Sequence, residues 1–391
     1  MSLKRLGLVG PSNRGCDLLS ERLRIVILHG WSSIEACHSL MPFFLREVQR
    51  EFSITFQRFD DRREKTITGD LLIIVRKFHS RIVTNDDIEA YFSGLRRRFS
   101  RIVYFDDSAS IASVQPAIIG CVDQYWKRAL LRDRSTYTKA WAGGHLFSDF
   151  YQRTHGLSDT SQFVSAPIEE KSLLKLRVAW NVGCGVYPLP RSFVTNNNYS
   201  FIRRVFAGCL RLGSYSLIEL AVNQFHARLK HLKSQLRINQ SGGRFVSARY
   251  QTTGYDLLVG FQRTFSEQLL SGKDNVSLGT VPRRLYLEEL AKASAVYSPF
   301  GWGEICFRDY ECLLNGALLI KPDMSHVQTF PDIYKENCYL PVSWDLSDLL
   351  EVIDEALSYH GLDDMPAQAF DFYKSDLSRL GEHTLNLIRS V

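Results

Sequence analysis

Several features that would define a protein class early are missing from this chain. No apolar run reaches the ~18 residues needed to cross a bilayer, and residues 1–21 lack the apolar core of a signal peptide. The eight cysteines (Cys16, Cys37, Cys121, Cys184, Cys209, Cys306, Cys312 and Cys338) form no C-x-x-C pair, and none joins histidines at zinc-finger spacing. These absences exclude a disulfide-stapled scaffold and a zinc ribbon, so no metal site is expected. The expectation is a soluble cytoplasmic protein with scattered buried thiols. Charge of one sign is also scarce. The 48 basic and 42 acidic residues leave a net +6, too mild for a dedicated nucleic-acid face. That balance suits a phosphate-bearing ligand or an acidic membrane surface. There is no solenoid repeat and no low-complexity tract. No G-x-G-x-x-G follows a first strand with an acidic residue about twenty positions on, which argues against a nucleotide-dependent dehydrogenase.

What is present is an ordinary globular composition, 45% hydrophobic and 23% charged over 391 residues, enough for two domains. Short β-rich apolar runs alternate with helical stretches, the pattern of an α/β protein. Strands are expected at 24–29 (RIVILH), 52–56, 70–75 and 101–105, with helical spacing at 34–50 and 86–99. Such alternation implies crossover helices returning the chain to a parallel sheet. Residues 116–133 read as a helix, 134–157 as irregular, and 174–182 as a closing strand of the first sheet.

Residues 186–198 have a loop composition. Residues 201–237 read as linker helices with one basic side: Arg203, Arg204, Arg211, Arg228, Lys230, Lys233 and Arg237. That side is a solvated face or a peripheral membrane contact. After a break at 239–243 a second α/β series begins. Strands are expected at 245–248, 276–278, 295–298 and 317–321, and helices at 255–270, 285–293 and 305–315, the last stopped by Gly316. A long amphipathic helix spans 368–390.

The segment 297–334, YSPFGWGEICFRDYECLLNGALLIKPDMSHVQTFPDIY, carries the chemistry. A strand leads into a loop with Gly301 and Gly303, then a helix, a glycine stop and a buried strand. Ligands of open α/β sheets bind at the carboxyl ends of strands. A helix N-terminus there offers free N–H groups and partial positive charge to phosphate, and glycines allow close backbone approach. Glu304 and Glu311 are seven apart, about two turns along one helix face. They are expected to hold sugar and ribose hydroxyls, with simple helix-end and solvated roles as the alternative.

This segment resembles the donor-binding motif of GT-B glycosyltransferases, especially the exostosin-like and bacterial polysaccharide-biosynthesis types. Ser298, Pro299, Gly301, Gly303, Glu304, Arg308 and Glu311 occupy the positions of a Ser-Pro-x-Gly-x-Gly-Glu/Asp…Arg-x-x-Glu signature. Glu311, five residues before Gly316, has the spacing of the family's ribose-binding glutamate. Glu304 stands one position late for the sugar-facing glutamate, which leaves retention or inversion open. The resemblance implies a GT-B architecture of two Rossmann-like domains facing a central cleft. It further implies a metal-independent glycosyltransferase with no cofactor, the nucleotide-sugar being the donor substrate. Arg249, Arg308, Lys321 and His326 join the glycines and glutamates as expected donor contacts. An ion pair for Arg308 and a turn role for His326 are the alternatives, and Arg263, in mid-helix, reads as structural.

The acceptor is expected in the first domain, where His29, Asp106 and Asp107 follow strands and could supply a general base. Each also has a local role available, His29 in the core and the aspartates in a turn. The divisions implied are an acceptor domain at 1–200, linker helices at 201–240, a donor domain at 241–366 and a helix at 367–391 crossing back. The acceptor is expected to be a carbohydrate or glycolipid in O-antigen or capsule synthesis. No nucleic-acid partner is expected, and the place of action is the cytoplasm or the inner membrane face. A nucleotide-sugar epimerase and a degenerate scaffolding transferase are the competing readings.

Overall fold

A computed structural model describes residues 22–30, 38–59, 66–75, 85–157, 163–185, 208–209, 212–229, 244–358, 362 and 364–391. The first sheet is built from β1 (Arg24–His29), β2 (Ser53–Arg58), β3 (Gly69–Val75), β4 (Phe99–Asp106), β5 (Gln124–Lys127) and β7 (Leu176–Val178). Its order is β2-β1-β3-β4-β5-β7, parallel throughout. The inner strands are continuous apolar runs because both faces are covered, and Ile25, Ile27, Ile73, Ile74 and Val103 are fully buried. Helix Asn85–Arg96 makes the crossover from β3 to β4.

The second sheet contains β8 (Val246–Ala248), β9 (Val276–Leu278), β10 (Ala295–Tyr297), β11 (Leu318–Pro322) and β13 (Leu340–Val342). Its order is β13-β11-β10-β8-β9, again parallel. Helices Leu257–Leu270, Arg283–Leu290 and Phe307–Leu314 are its crossovers. The last ends as expected at Gly316, whose φ of 67° only glycine takes without strain. Gly316 N–H donates to Leu313 O at 3.0 Å and Ala317 N–H to Cys312 O at 3.2 Å, the double bond of a Schellman stop. The two parallel α/β sheets answer the expectation of two Rossmann-like halves.

Several stretches differ from expectation; within the one expected at 34–50, a 3-10 turn, Met41–Phe44, precedes a short helix, Arg46–Glu51. Residues 116–133 are not one helix. A short helix, Pro116–Cys121, is followed by β5 and by β6 (Ala129–Leu131). Gln124–Lys127 is buried at every position, so it carries no alternation to mark it as a strand. Residues 134–157 are not irregular: a 3-10 turn, Arg134–Thr138, and a helix, Leu146–His155, occupy them. Of the basic positions expected along one side of the linker, Arg228 lies on a described helix and the other six lie outside the described residues. Helix Tyr215–Leu229 is described within that segment.

The halves are joined at several places. β6 pairs antiparallel with β12 (Val327–Thr329). Helix Leu146–His155 packs on helix Leu257–Leu270, where Tyr151 donates to Trp344 O at 2.6 Å. The C-terminal stretch is two helices, Met365–Ser378 and Leu380–Arg389, rather than one. The second reaches the first sheet: His383 Nε2 lies 2.8 Å from Ala179 O, and Gln124 Nε2 donates to Ser390 O at 2.7 Å. One apolar core runs through both halves, with a smaller cluster under the second sheet. Among the described residues no helix is long and apolar enough to cross a membrane.

Candidate donor pocket

The chain leaves β8 for β9 on one side, then returns past β8 to β10 on the other. The reversal opens a crevice at the carboxyl edge, where open α/β sheets take ligands. A cavity of about 420 Å³ lies there, within the size range of small-molecule sites. Its walls come from the segment after β8 (Arg249, Tyr250, Gln251), the segment after β9 (Thr280, Val281, Arg283) and the start of helix Phe307–Leu314.

Four arginines line it, and their pairings differ. Arg249 is held by Glu289, with Nη2 at 2.8 Å and Nε at 3.0 Å, and it also donates to Leu278 O. Arg283 pairs with Glu311 at 2.5 Å. Arg263 meets no carboxylate among the described residues; it donates to the backbone oxygens of Phe300 (2.5 Å) and Gln251 (2.9 Å). Arg308 has two buried guanidinium nitrogens, Nε and Nη1, with no hydrogen-bond partner, so the ion pair offered as its alternative role is not formed. Burial, and next the positive field of Arg308, pull the Arg263 guanidinium below its ordinary value. Burial pulls the Arg308 guanidinium down, but the negative field of Cys306, Tyr286, Asp309 and Glu311 outweighs it and holds the group above its ordinary value. Among the described residues neither guanidinium is in an ion pair, and two of them in one crevice suit a diphosphate. The mid-helix reading of Arg263 as structural agrees with its two bonds to the loop backbone, and the residue also lines the cavity.

Glu311 lines the same cavity, and its second oxygen accepts from Tyr286 OH at 3.1 Å. Glu304 does not share its helix face, because the helix begins at Phe307. Instead Glu304 is sealed at the junction of the halves, 0% exposed, with Oε2 at 3.4 Å from Ile111 N and 3.9 Å from His145 Nδ1. Its Oε1 has no partner. Burial pushes its carboxyl up, but the imidazoles of His145 and His326 outweigh that and hold it below the usual range. His326 turns its ring edge to Trp344, 5.0 Å between centroids, and is absent from the cavity wall.

The glycines touch protein at the points where ligand contact was expected. A Cβ on Gly301 would meet Arg263 Nη2 at 2.6 Å, and one on Gly303 would meet Ala109 O at 2.1 Å. Lys321 is not a phosphate contact. It is fully buried with Nζ 3.1 Å from Asp309 Oδ2, so its charge is already spent. Asp309 also accepts from Ser298 OH (2.6 Å), Tyr334 OH (2.7 Å) and Cys306 N–H (3.1 Å). This carboxylate fixes the start of the helix that presents Arg308, and sequence reasoning passed over it. The signal available was an acid at the third position of a helix opening at Cys306.

On the acceptor side, His29 is 1% exposed with Nδ1 near Gly30 O (3.2 Å) and Nε2 near Tyr215 OH (3.3 Å). It is a satisfied core histidine rather than a base for substrate. Asp106 is likewise committed, to Lys127 (2.9 Å), Tyr125 OH (2.8 Å) and Ser108 N (3.0 Å). Asp107 accepts from Ser39 OH at 2.8 Å and lies 3.6 Å from Arg128, while its Oδ1 is buried without a hydrogen bond. Of the three, Asp107 alone keeps an unengaged carboxylate oxygen.

No family model matches the chain, and no curated protein matches it. Solved structures similar to it include Anabaena HepE in complex with UDP-glucose, at 11% identity and a TM-score of 0.43, covering 95% of this chain and 100% of that one. The lipopolysaccharide outer core galactosyltransferase WaaB matches at 11% identity and 0.43, over 94% and 99% of the two chains. An α1,3-fucosyltransferase matches at 13% identity and 0.40, over 91% and 90%.

Proposed function

We propose that this chain is a glycosyltransferase that binds a nucleotide-sugar in the crevice of its second sheet and transfers the sugar to a carbohydrate or glycolipid acceptor. The observation that carries the reading is the pair Arg263 and Arg308, two guanidinium groups in one cavity that form no ion pair among the described residues, Arg308 with two buried nitrogens lacking a hydrogen bond. A diphosphate would supply the missing anions. Glu311, on the same wall, would take the ribose hydroxyls, since a carboxylate accepts at about four lone-pair sites and Arg283 and Tyr286 leave some open. As the glycosidic bond breaks, charge grows on the leaving phosphate, and the fixed guanidinium groups stabilise it without reorganising.

The proton of the attacking hydroxyl needs an acceptor. In an inverting reaction a carboxylate of the first half would serve; Asp107 has an oxygen without a hydrogen bond, but its side chain is 1% exposed and the acceptor would have to uncover it. In a retaining one the leaving phosphate would serve. Synthesis of a surface polysaccharide is the role the sequence resemblance implies, and we retain it as the proposed setting.

The test is a thermal-shift and titration panel of nucleoside diphosphates and their hexose conjugates. At least one should bind, and Arg308→Ala should weaken it by about 10- to 100-fold, the value of a charge-assisted hydrogen bond lost from a buried site. Arg308→Lys should restore only part, because an ammonium cannot fork across a diphosphate. If no common nucleotide-sugar bound the wild-type protein, the reading would be abandoned.

A further inference from the structure

The donor reading leaves Trp302 unexplained. Trp126 and Trp180 are buried, yet Trp302 is 51% exposed. A single exposed ring is ordinary on a protein surface; what sets this one apart is how it is held. The ring does not sit on a loose tip. It stands on the turn closed by Gly301 N–H to Gly303 O at 3.0 Å, and Gly303 is pressed against Ala109. One side of it leans on Tyr255, 5.2 Å between centroids and 32° between planes. Tyr255 in turn covers the Arg263 guanidinium at 4.6 Å. The indole is therefore held at a fixed angle, with one side packed and the other open.

Its neighbour narrows what it can meet. Tyr255 lines the cavity beside Arg263, while Glu311 lines it beside Arg283 and Tyr286. With diphosphate on Arg263 and ribose on Glu311, a sugar carried past Tyr255 would reach Trp302. Gln251 stands with Tyr255 on the cavity wall and offers an amide. A flat, open aromatic face matches a pyranose, which shows C–H bonds on its face and hydroxyls at its edge.

We infer that the Trp302–Tyr255 pair is a platform for a pyranose ring at the mouth of the donor pocket. The inference rests on the nucleotide-sugar reading for its placement. The ring belongs either to the donor's hexose or to the acceptor glycan, and the experiment separates the two. Wild type, Trp302→Ala and Trp302→Phe are titrated with UDP, GDP, ADP and their glucose conjugates, and each labelled protein is applied to an array of immobilised glycans. A platform for the donor gives the conjugate an advantage over its diphosphate, lost about 10-fold in the alanine variant and kept in the phenylalanine one, with diphosphate affinity unchanged. A platform for the acceptor gives the same pattern on the array. Loss of diphosphate affinity in parallel would overturn the inference, since Trp302 would then only brace the loop. So would a Trp302→Ala protein equal to wild type in both arms. A wild-type protein that bound glycans through Trp302 but no nucleotide would refute the donor reading and leave the platform standing.

Discussion

At the scale of single residues, the decisive quantity is whether a buried charge already has a partner. Lys321 and Arg308 both lie on the segment expected to bind donor, and both are cationic. Lys321 is neutralised by Asp309 at 3.1 Å, while the two buried nitrogens of Arg308 have no hydrogen-bond partner. Only the second can attract an anion. His29 makes a prediction of another kind. Burial lowers its imidazole from 6.5 to about 4. The unfolded chain therefore binds more protons than the folded one between those two values. Stability contributed by neutral His29 is complete above about pH 6.5 and declines as pH falls toward 4, by up to about 3 kcal/mol. Urea unfolding of His29→Gln across that window should show a shallower decline than wild type; equal slopes would mean the histidine is not buried in this way.

At the scale of elements, the helix Phe307–Leu314 depends on the Asp309–Lys321 pair beneath it. Both side chains are 0% exposed, so removing one partner strands the other charge in the core. Asp309→Ala should cost about 3–5 kcal/mol. Adding Lys321→Met should recover a large part of it, a coupling that a double-mutant cycle measures directly. The loop before this helix is equally constrained. Gly303→Ala would drive a methyl into Ala109 O, 2.1 Å from the ideal Cβ, and should lower stability by about 1–3 kcal/mol in a denaturant titration.

This element also shows what a sequence can disclose. The order of strand, glycine loop, helix and glycine stop was legible because each part is set by local chemistry: β-branched runs, an αL glycine, helical spacing. The placing of Glu311 on a cavity wall followed from that order. The partner of Lys321, the exile of Glu304 to the junction with His145, and the contacts of Gly303 were not legible. Each depends on a residue brought in by tertiary packing, in two cases from the other half of the chain. The same holds for β5, whose four buried residues read as helix because no alternation marked them.

At the scale of the whole molecule, the two sheets do not behave as beads on a string. The β6–β12 ribbon, the packing of Leu146–His155 on Leu257–Leu270 and the shared core bind them into one cooperative body. Calorimetry should therefore show a single transition, with calorimetric and van't Hoff enthalpies in agreement. Two resolved peaks would mean the junction contributes little. The site follows from this build: the cavity belongs to the second sheet alone, while Glu304 is enclosed by groups from both.

The return of the last helix to the first sheet has a consequence for how the protein is made. Gln124 finds its hydrogen-bond partner in Ser390, 266 positions later. A ribosome emits the strands of the first sheet long before it emits the helix that covers them. The nascent sheet must wait, partly bare, until that helix has emerged. Premature stops within Leu380–Arg389 should therefore leave a chain with its pocket sequence intact and its opposite half exposed to chaperones and proteases.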